Sequence, residues 1–321
     1  MPASPSPSSS RRNKSSTRAL SEAAVIDAAA RFFGAGATPA PGVLRGIGDD
    51  TAVLAPPPRH AVQLFTMDAL ACNTHFTAAD PPHAVGWKAI AVNISDIAAM
   101  GGTPASAVIS LGVPPATAPS YVNGILRGMQ RAARAFNLQI VGGDTIRADV
   151  MTISVAMLGH ARPNQLCFRN GARPGDLIAV TGPLGGSLRS GRHLRFSPRL
   201  AEAHWLVAHA KPSAMMDLSD GLAMDAARMA AASNASFMLY SKNIPRNHSA
   251  SLHAALHDGE DFELLCTFNP RTLTARSLAH YRRRFPSPLV VLGHVAAGPP
   301  AVFLDNQPLA PSGFDHFPHT S

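Results

Sequence analysis

Six short segments place carboxylates beside glycines or within polar turns. They are Gly46-Ile47-Gly48-Asp49-Asp50, Thr66-Met67-Asp68, Asn93-Ile94-Ser95-Asp96, Gly142-Gly143-Asp144, Asp217-Leu218-Ser219-Asp220-Gly221 and Asp258-Gly259-Glu260-Asp261-Phe262-Glu263. Asp258 aside, they hold ten of the chain's 20 acidic residues. Charged side chains normally spread over a surface; here they gather at turns within apolar sequence. Magnesium would use such a set. It takes hard oxygen ligands, keeps several waters and is shared with substrate phosphates, so single carboxylates from separate elements suit it. Glycines beside them let backbone approach a phosphate and adopt positive φ. Any one Gly-Asp pair is ordinary turn chemistry; six in one chain are harder to assign to turns alone. GxxxxGK[ST], GxGxxG, HExxH and an EF-hand loop are all absent, which disfavours a P-loop kinase, a dinucleotide-binding dehydrogenase, a zinc protease and an EF-hand protein.

Alternating elements must position these acids. Ser21 to Phe33 is predicted as a helix capped by Ser21, with Val25, Ala29 and Phe32 on one face. Ala61 to Thr66 is predicted as a strand ending at Asp68. Pro81 to Met100 is predicted as a helix with Trp87, Ile90, Ala91, Ile94 and Ala98 on one side, and Asn93 and Asp96 opposite much of that stripe. Ala105 to Val113 is strand-like, Ser120 to Phe136 helical. Leu138 to Val141 is a short strand ending at Gly142-Gly143-Asp144, and Met151 to Gly159 another. In the second half, Leu177 to Thr181, Asp261 to Phe268 and Pro288 to Val295 are predicted strands. Asp217 to Ala232 opens on the Ser-Asp-Gly turn and continues as a helix. The pattern is α/β of the α+β type, in two mixed domains. The Pro/Gly-rich stretch from Ala161 to Asp176 places the boundary, giving a tail 1–20, an N-terminal domain 21–160 and a C-terminal domain 161–321.

Composition narrows the class. Apolar residues make up 46 % of 321, enough for two globular cores. No run of 18 or more apolar residues exists; Ala84 to Met100 is broken by Lys88, Asn93, Ser95 and Asp96, so no membrane partner is expected. The net charge of +8 could suggest nucleic acid. Half of that excess sits in the acid-free, Ser/Pro-rich tail on Arg11, Arg12, Lys14 and Arg18, and most of the rest is scattered Arg, with one run at Arg282 to Arg284. That tail is read as disordered. Cys72, Cys167 and Cys266 are far apart, form no CxxC pair and read as reduced thiols of a cytoplasmic protein.

The order GIGDD, TMD…H, AVNISDIAAMGG, VGGDT, RNGARPGD, TGPLGG, DLSDGL, DGEDFEL and GFDHF resembles the thiamine-monophosphate kinases, within the wider group of aminoimidazole-ribotide synthetase-like ATP-binding enzymes. The resemblance runs from about Gly46 to Phe317. It implies that fold, with an N-terminal domain whose strands form the dimer sheet or barrel, and a homodimer. It implies several Mg²⁺ ions as cofactor, with ATP and thiamine monophosphate as substrates. Asp50, Asp68, Asp96, Asp144 and Asp217 would be magnesium ligands, with Thr66 lending an oxygen and Asp220 holding a further ion. Gly143, Asp144, Arg169 and Ser219 would contact ATP. His75, Glu260 and Phe314 would contact thiamine phosphate. The metals stabilise charge, and no side chain is expected to act as a catalytic acid or base.

Four positions depart from the family pattern: Met67, where Thr or Ser is usual; Ser106, where an aromatic is common; Asp258, in place of a glycine; and a shortened segment from Gly186 to Arg199. Two other classes of reading stand beside this one: another ATP-dependent enzyme of the same group, and a basic nucleic-acid-binding protein, which predicts steeply salt-dependent binding by the folded body. A catalytically inactive ATP sensor is a third.

Overall fold

The computed structural model describes residues 21–34, 42–47 and 51–314. The tail, Asp49 and Asp50, and the segment after Phe314 lie outside the described residues.

Helix α1 (Glu22–Phe33) starts as its sequence predicts: the Ser21 side chain accepts from the Ala24 N–H, and Gly34 closes the helix at φ 87°. A small ribbon follows, β1 (Val43–Arg45) antiparallel to β2 (Val53–Leu54). Then come β3 (Val62–Ala71), α2 (Pro82–Ala99), β4 (Thr103–Val113), α3 (Pro119–Ala135), β5 (Gln139–Arg147) and β6 (Thr152–Ala161). The four long strands form one sheet in the order β3-β6-β4-β5. Only β4 and β5 are parallel. β6 buries every second residue, the period-2 signature of a sheet with one packed face. That face, with Ile109, Leu111, Ile153 and Val155, packs under α2 and α3. The other face leaves Phe65 73 % and Met67 62 % exposed, with Val108 and Ile146 also in the open.

The remaining strands are β7 (Leu177–Thr181), β8 (Ala214–Asp217), β9 (Ser236–Leu239), β10 (Leu264–Phe268), β11 (Leu289–Ala296), β12 (Ala301–Leu304) and β13 (Gln307–Pro308). They build a seven-stranded sheet in the order β13-β12-β9-β11-β7-β10-β8. Helices α4 (Ser187–Ser190), α5 (Leu200–His209), α6 (Leu222–Ser233), α7 (Leu252–His257) and α8 (Ala275–Arg284) accompany it. Its two faces feed separate cores. Leu222, Ala226 and Met229 of α6 join one; Trp205, Leu206 and Tyr281 of α5 and α8 join the other.

Several boundaries differ from their sequence expectations. β3 runs on to Ala71, so Asp68 lies within a strand rather than at its end. Likewise β5 passes straight through Gly142, Gly143 and Asp144. Asp217 closes β8, and α6 begins only at Leu222. Asp261 and Glu263 precede β10 instead of belonging to it. The largest correction concerns α2. It is not a one-sided helix: Lys88, Asn93 and Ser95 are buried along with its apolar residues. α3 and the four-stranded sheet cover one side, while β8 and α5 cover the other. Gly86 of α2 and Gly128 of α3 permit the tight crossing, since a Cβ at either would collide with the facing backbone.

Candidate functional site

α2 brings the central acids together. Asp96, near its C-terminal end, accepts a hydrogen bond from Thr66 Oγ1 of β3 at 2.6 Å. Asp68, two residues along β3, is hydrogen-bonded to Asp96 through the side chains. The residue just before it on α2, Ser95, donates through Oγ to Asp217 Oδ2 at 2.7 Å, at the end of β8. Two strands of different sheets thus deliver carboxylates to one helix. Burial raises the pKa of Asp68, Asp96 and Asp217 above the ordinary carboxylate range. The negative charge of Asp96 adds to the rise at both Asp68 and Asp217. Thr66 and Arg169 oppose it at Asp96. Arg169 lines a cavity of about 580 Å³ together with Thr66, Asp96 and Phe168.

A second group lies beside this one. His75 follows β3, and its Nδ1 accepts from the Ala71 N–H at 3.1 Å. Its ring stands 6.4 Å from that of Phe314, tilted by 59°. Lys88 of α2 donates to the His75 carbonyl at 2.8 Å and forms an ion pair with Glu260. The Glu260 N–H donates to the Ser219 carbonyl at 2.6 Å, and the Phe314 N–H to the Asp220 carbonyl at 3.1 Å. His75, Glu260 and Phe314 therefore meet at one place. The charge of Glu260 also bears on Asp68, so the two groups adjoin.

Other candidates lie elsewhere. Gly143 and Asp144 line a separate cavity of about 580 Å³, against Ala29 and Phe33 of α1 and Ile47 and Thr51 on either side of the Gly48–Asp50 segment. Asp144 Oδ1 accepts from the Thr145 N–H at 2.8 Å. Asp50 itself lies outside the described residues. Asp220 is paired with Arg228, which also holds Asp225 at 2.8 Å; its carboxylate is thus already matched by a cation. Asp258, a departure from the family pattern, accepts from the Gly186 N–H at 2.9 Å and so fastens the TGPLGG loop.

Sequence reasoning gave no role in this region to Lys88, Arg192 or Arg199, nor to Ser95 within its acidic segment. Arg199 grips Glu263 with two nitrogens, each at 2.7 Å, and Arg192 reaches both Glu263 and Asp261. These pairs brace the loop that carries Glu260. The signal for Lys88 was present: it is the one Lys or Arg within α2. No comparable local signal marks the two arginines, because Asp261 and Glu263, the acids they brace, lie more than 60 residues away.

Residues 48–161 match the family model "AIR synthase related protein, N-terminal domain". The chain is 32 % identical over 305 residues to the thiamine-monophosphate kinase of Aquifex aeolicus, covering 84 % of this chain and 92 % of that protein. A solved structure described as "AaThiL complexed with AMPPCP and TMP" superposes with a TM-score of 0.73 at 30 % identity, over 82 % of this chain and 90 % of that one. The thiamine-monophosphate kinase structure from Stenotrophomonas maltophilia K279a gives 0.78 at 29 % identity, over 91 % of this chain and 99 % of that one. The fold is that of the AIR synthase-like enzymes, and the chain belongs to the thiamine-monophosphate kinase family.

Proposed function

We propose that this protein transfers the γ-phosphoryl group of ATP to thiamine monophosphate, giving ADP and thiamine diphosphate. The observation that carries this reading is the junction of two groups: the Thr66–Asp68–Asp96–Asp217 acids and, beside them, the His75–Glu260–Phe314 end. The family supplies the reaction class, and this junction supplies a place for it.

Among the described residues, no three His, Cys, Asp or Glu side chains close into a preformed metal cage. Magnesium does not require one, since it binds through one or two carboxylates plus waters and phosphates. The donor set fits: buried acids that raise one another's pKa are what a divalent cation relieves. Asp68, Asp96 and Asp217 would hold it, with Thr66 lending an oxygen. Bound there, magnesium would offset the charge of two polyanions. Arg169, over the cavity beside Asp96, would contribute a fixed positive charge toward the nucleotide phosphates. The acceptor oxygen needs no strong base, because a phosphomonoester is largely dianionic above its second pKa of about 6. Glu260 and the His75 and Phe314 rings would orient the thiamine portion, and holding both phosphates in line supplies the rate.

Ser219 and the Gly143–Asp144 cavity are the remaining proposed ATP contacts, with Asp144 and Asp50 as further metal ligands. Asp220 would take a metal only by giving up Arg228. We also read the chain as two domains, divided after β6. It would act as a homodimer joined through the outer face of the four-stranded sheet, where Phe65, Met67, Val108 and Ile146 are exposed. No helix among the described residues is long and apolar enough to cross a membrane. The three cysteines are free thiols, which supports a reducing, cytoplasmic setting.

Product analysis with ATP, Mg²⁺ and thiamine monophosphate tests this. Thiamine diphosphate should form with wild-type protein and not with Asp68→Asn. A folded wild-type protein that makes none would refute the proposal.

A further inference from the structure

α2 turns one polar face toward the second half of the molecule. Lys88 and Ser95 are seven residues apart and so share that face. Ser95 reaches Asp217, and Lys88 reaches Glu260. Between them, Ala91 and Val92 pack on Phe196 and Phe262, whose rings stack at 4.2 Å. The neighbouring Trp87 Nε1 donates to the Phe196 carbonyl at 2.7 Å.

Lys88 is the unusual member. Its side chain is 0 % exposed. A buried ammonium is expensive unless it is paired and hydrogen-bonded. Here it has both an ion-pair partner, Glu260, and a carbonyl acceptor, His75. Those are two of the three residues expected at the thiamine end. Glu260 itself stands at φ 65°, a conformation uncommon outside glycine. Its backbone is fastened on both sides: its N–H donates to Ser219 and its carbonyl accepts from Ser187 Oγ at 2.7 Å. The carboxylate is then tied down by Lys88, while Glu260 retains 17 % side-chain exposure.

We infer that Lys88 is a positioning residue for substrate recognition, holding the Glu260 carboxylate aimed and the His75 loop against it, without touching the substrate itself. The inference rests on the proposed kinase reading for the identity of the ligand. It predicts that Lys88 acts through Glu260. Losing Lys88 should therefore weaken thiamine phosphate binding and leave ATP binding alone.

The test uses Lys88→Met, Glu260→Gln and the double variant, each assayed for kcat, for KM of both substrates and for thermal unfolding. Wild-type turnover is measured first; its absence overturns the kinase reading, independently of Lys88. Lys88→Met should raise KM for thiamine monophosphate about tenfold or more, with KM for ATP within about twofold. Since it leaves the partly buried Glu260 carboxylate without its cation and opens a hole at a fully buried side chain, Lys88→Met should also melt early. The double variant removes that stranded charge, so it should recover melting temperature and bind thiamine monophosphate no worse than the weaker single variant. If Lys88→Met does not fold, the double variant against Glu260→Gln alone carries the test. Multiplying losses in the double variant, equal losses for both substrates, or a Lys88→Met protein with wild-type KM would each overturn the role.

Discussion

Asp68 and Asp144 stand on the two opposite edge strands of the four-stranded sheet, β3 and β5, in adjacent cross-strand rows. Asp68 pairs through Val155 and Ile109 to Gly143, while Ala69 pairs through Ser154 and Ser110 to Asp144. Three strand spacings separate them, about 14 Å at the usual inter-strand distance. Two carboxylates so far apart do not share one magnesium ion within a chain, where metal–oxygen bonds are about 2 Å long.

A second copy, joined through the sheet face, would resolve this. If Asp68 of one protomer works with Asp144 of its partner, then Asp68→Asn and Asp144→Asn should each be inactive alone. Mixed and reannealed in equal amounts, they should regain about a quarter of wild-type turnover, because half the dimers would be hybrids with one intact site. No recovery, with hybrid formation shown by native mass spectrometry, would place both acids in one protomer's site.

The dimer face is tested separately. Phe65→Glu puts a charge into an exposed apolar patch and removes nothing from the core. Sedimentation should show a dimer for wild-type protein and a monomer for the variant, with its melting temperature within a few degrees of wild type. A dimeric Phe65→Glu would redirect the interface elsewhere.

The acid cluster should behave as a charge store held at the expense of stability. Asp217→Asn keeps an acceptor for Ser95 Oγ but removes one buried negative charge beside Asp96. In metal-free buffer at pH 8, the variant should melt several degrees above wild type. Magnesium should stabilise wild type more than the variant, and turnover should fall by about a hundredfold or more. Calorimetry with and without EDTA reads both; a variant that melts lower without metal would contradict the repulsion argument.

A pH effect follows from Asp261. Burial raises its carboxyl from 3.8 to about 6, although the Gly185 N–H and Arg192 pull the other way. Between those two values the folded chain holds a proton that the unfolded chain has lost. This group therefore favours the fold most below the unfolded value, and its contribution declines as pH rises toward about 6. The full difference is about 3 kcal/mol at most. Asp261→Asn cannot ionise, so its stability should vary less between pH 4 and 6.5, as measured by urea unfolding at each pH. An unchanged slope would show that Asp261 titrates normally.

Local features were legible in the sequence because their causes are local. Ser21 caps α1 through a residue three positions on, and β6 announces its one packed face by alternation. The acids that matter could be picked out by type and by neighbouring glycines, and the order of motifs identified the family. Strand ends were read less well, since Gly142 and Gly143 look like a turn but sit inside β5.

What only the tertiary structure decided is which acids meet. Asp68, Asp96 and Asp217 converge because α2 is covered on both sides; its apolar residues, spread nearly all round the helix, suit that burial but do not say which elements cover it. Asp220 goes to Arg228 and Asp258 to the Gly186 N–H, though their motifs look no different from the others. Lys88 finds Glu260 across 172 residues of chain. Side-chain type and spacing determine what a residue could bind. Burial and long-range packing determine the partners within reach, and for a buried charge that choice sets whether it is paired, protonated or left for a ligand.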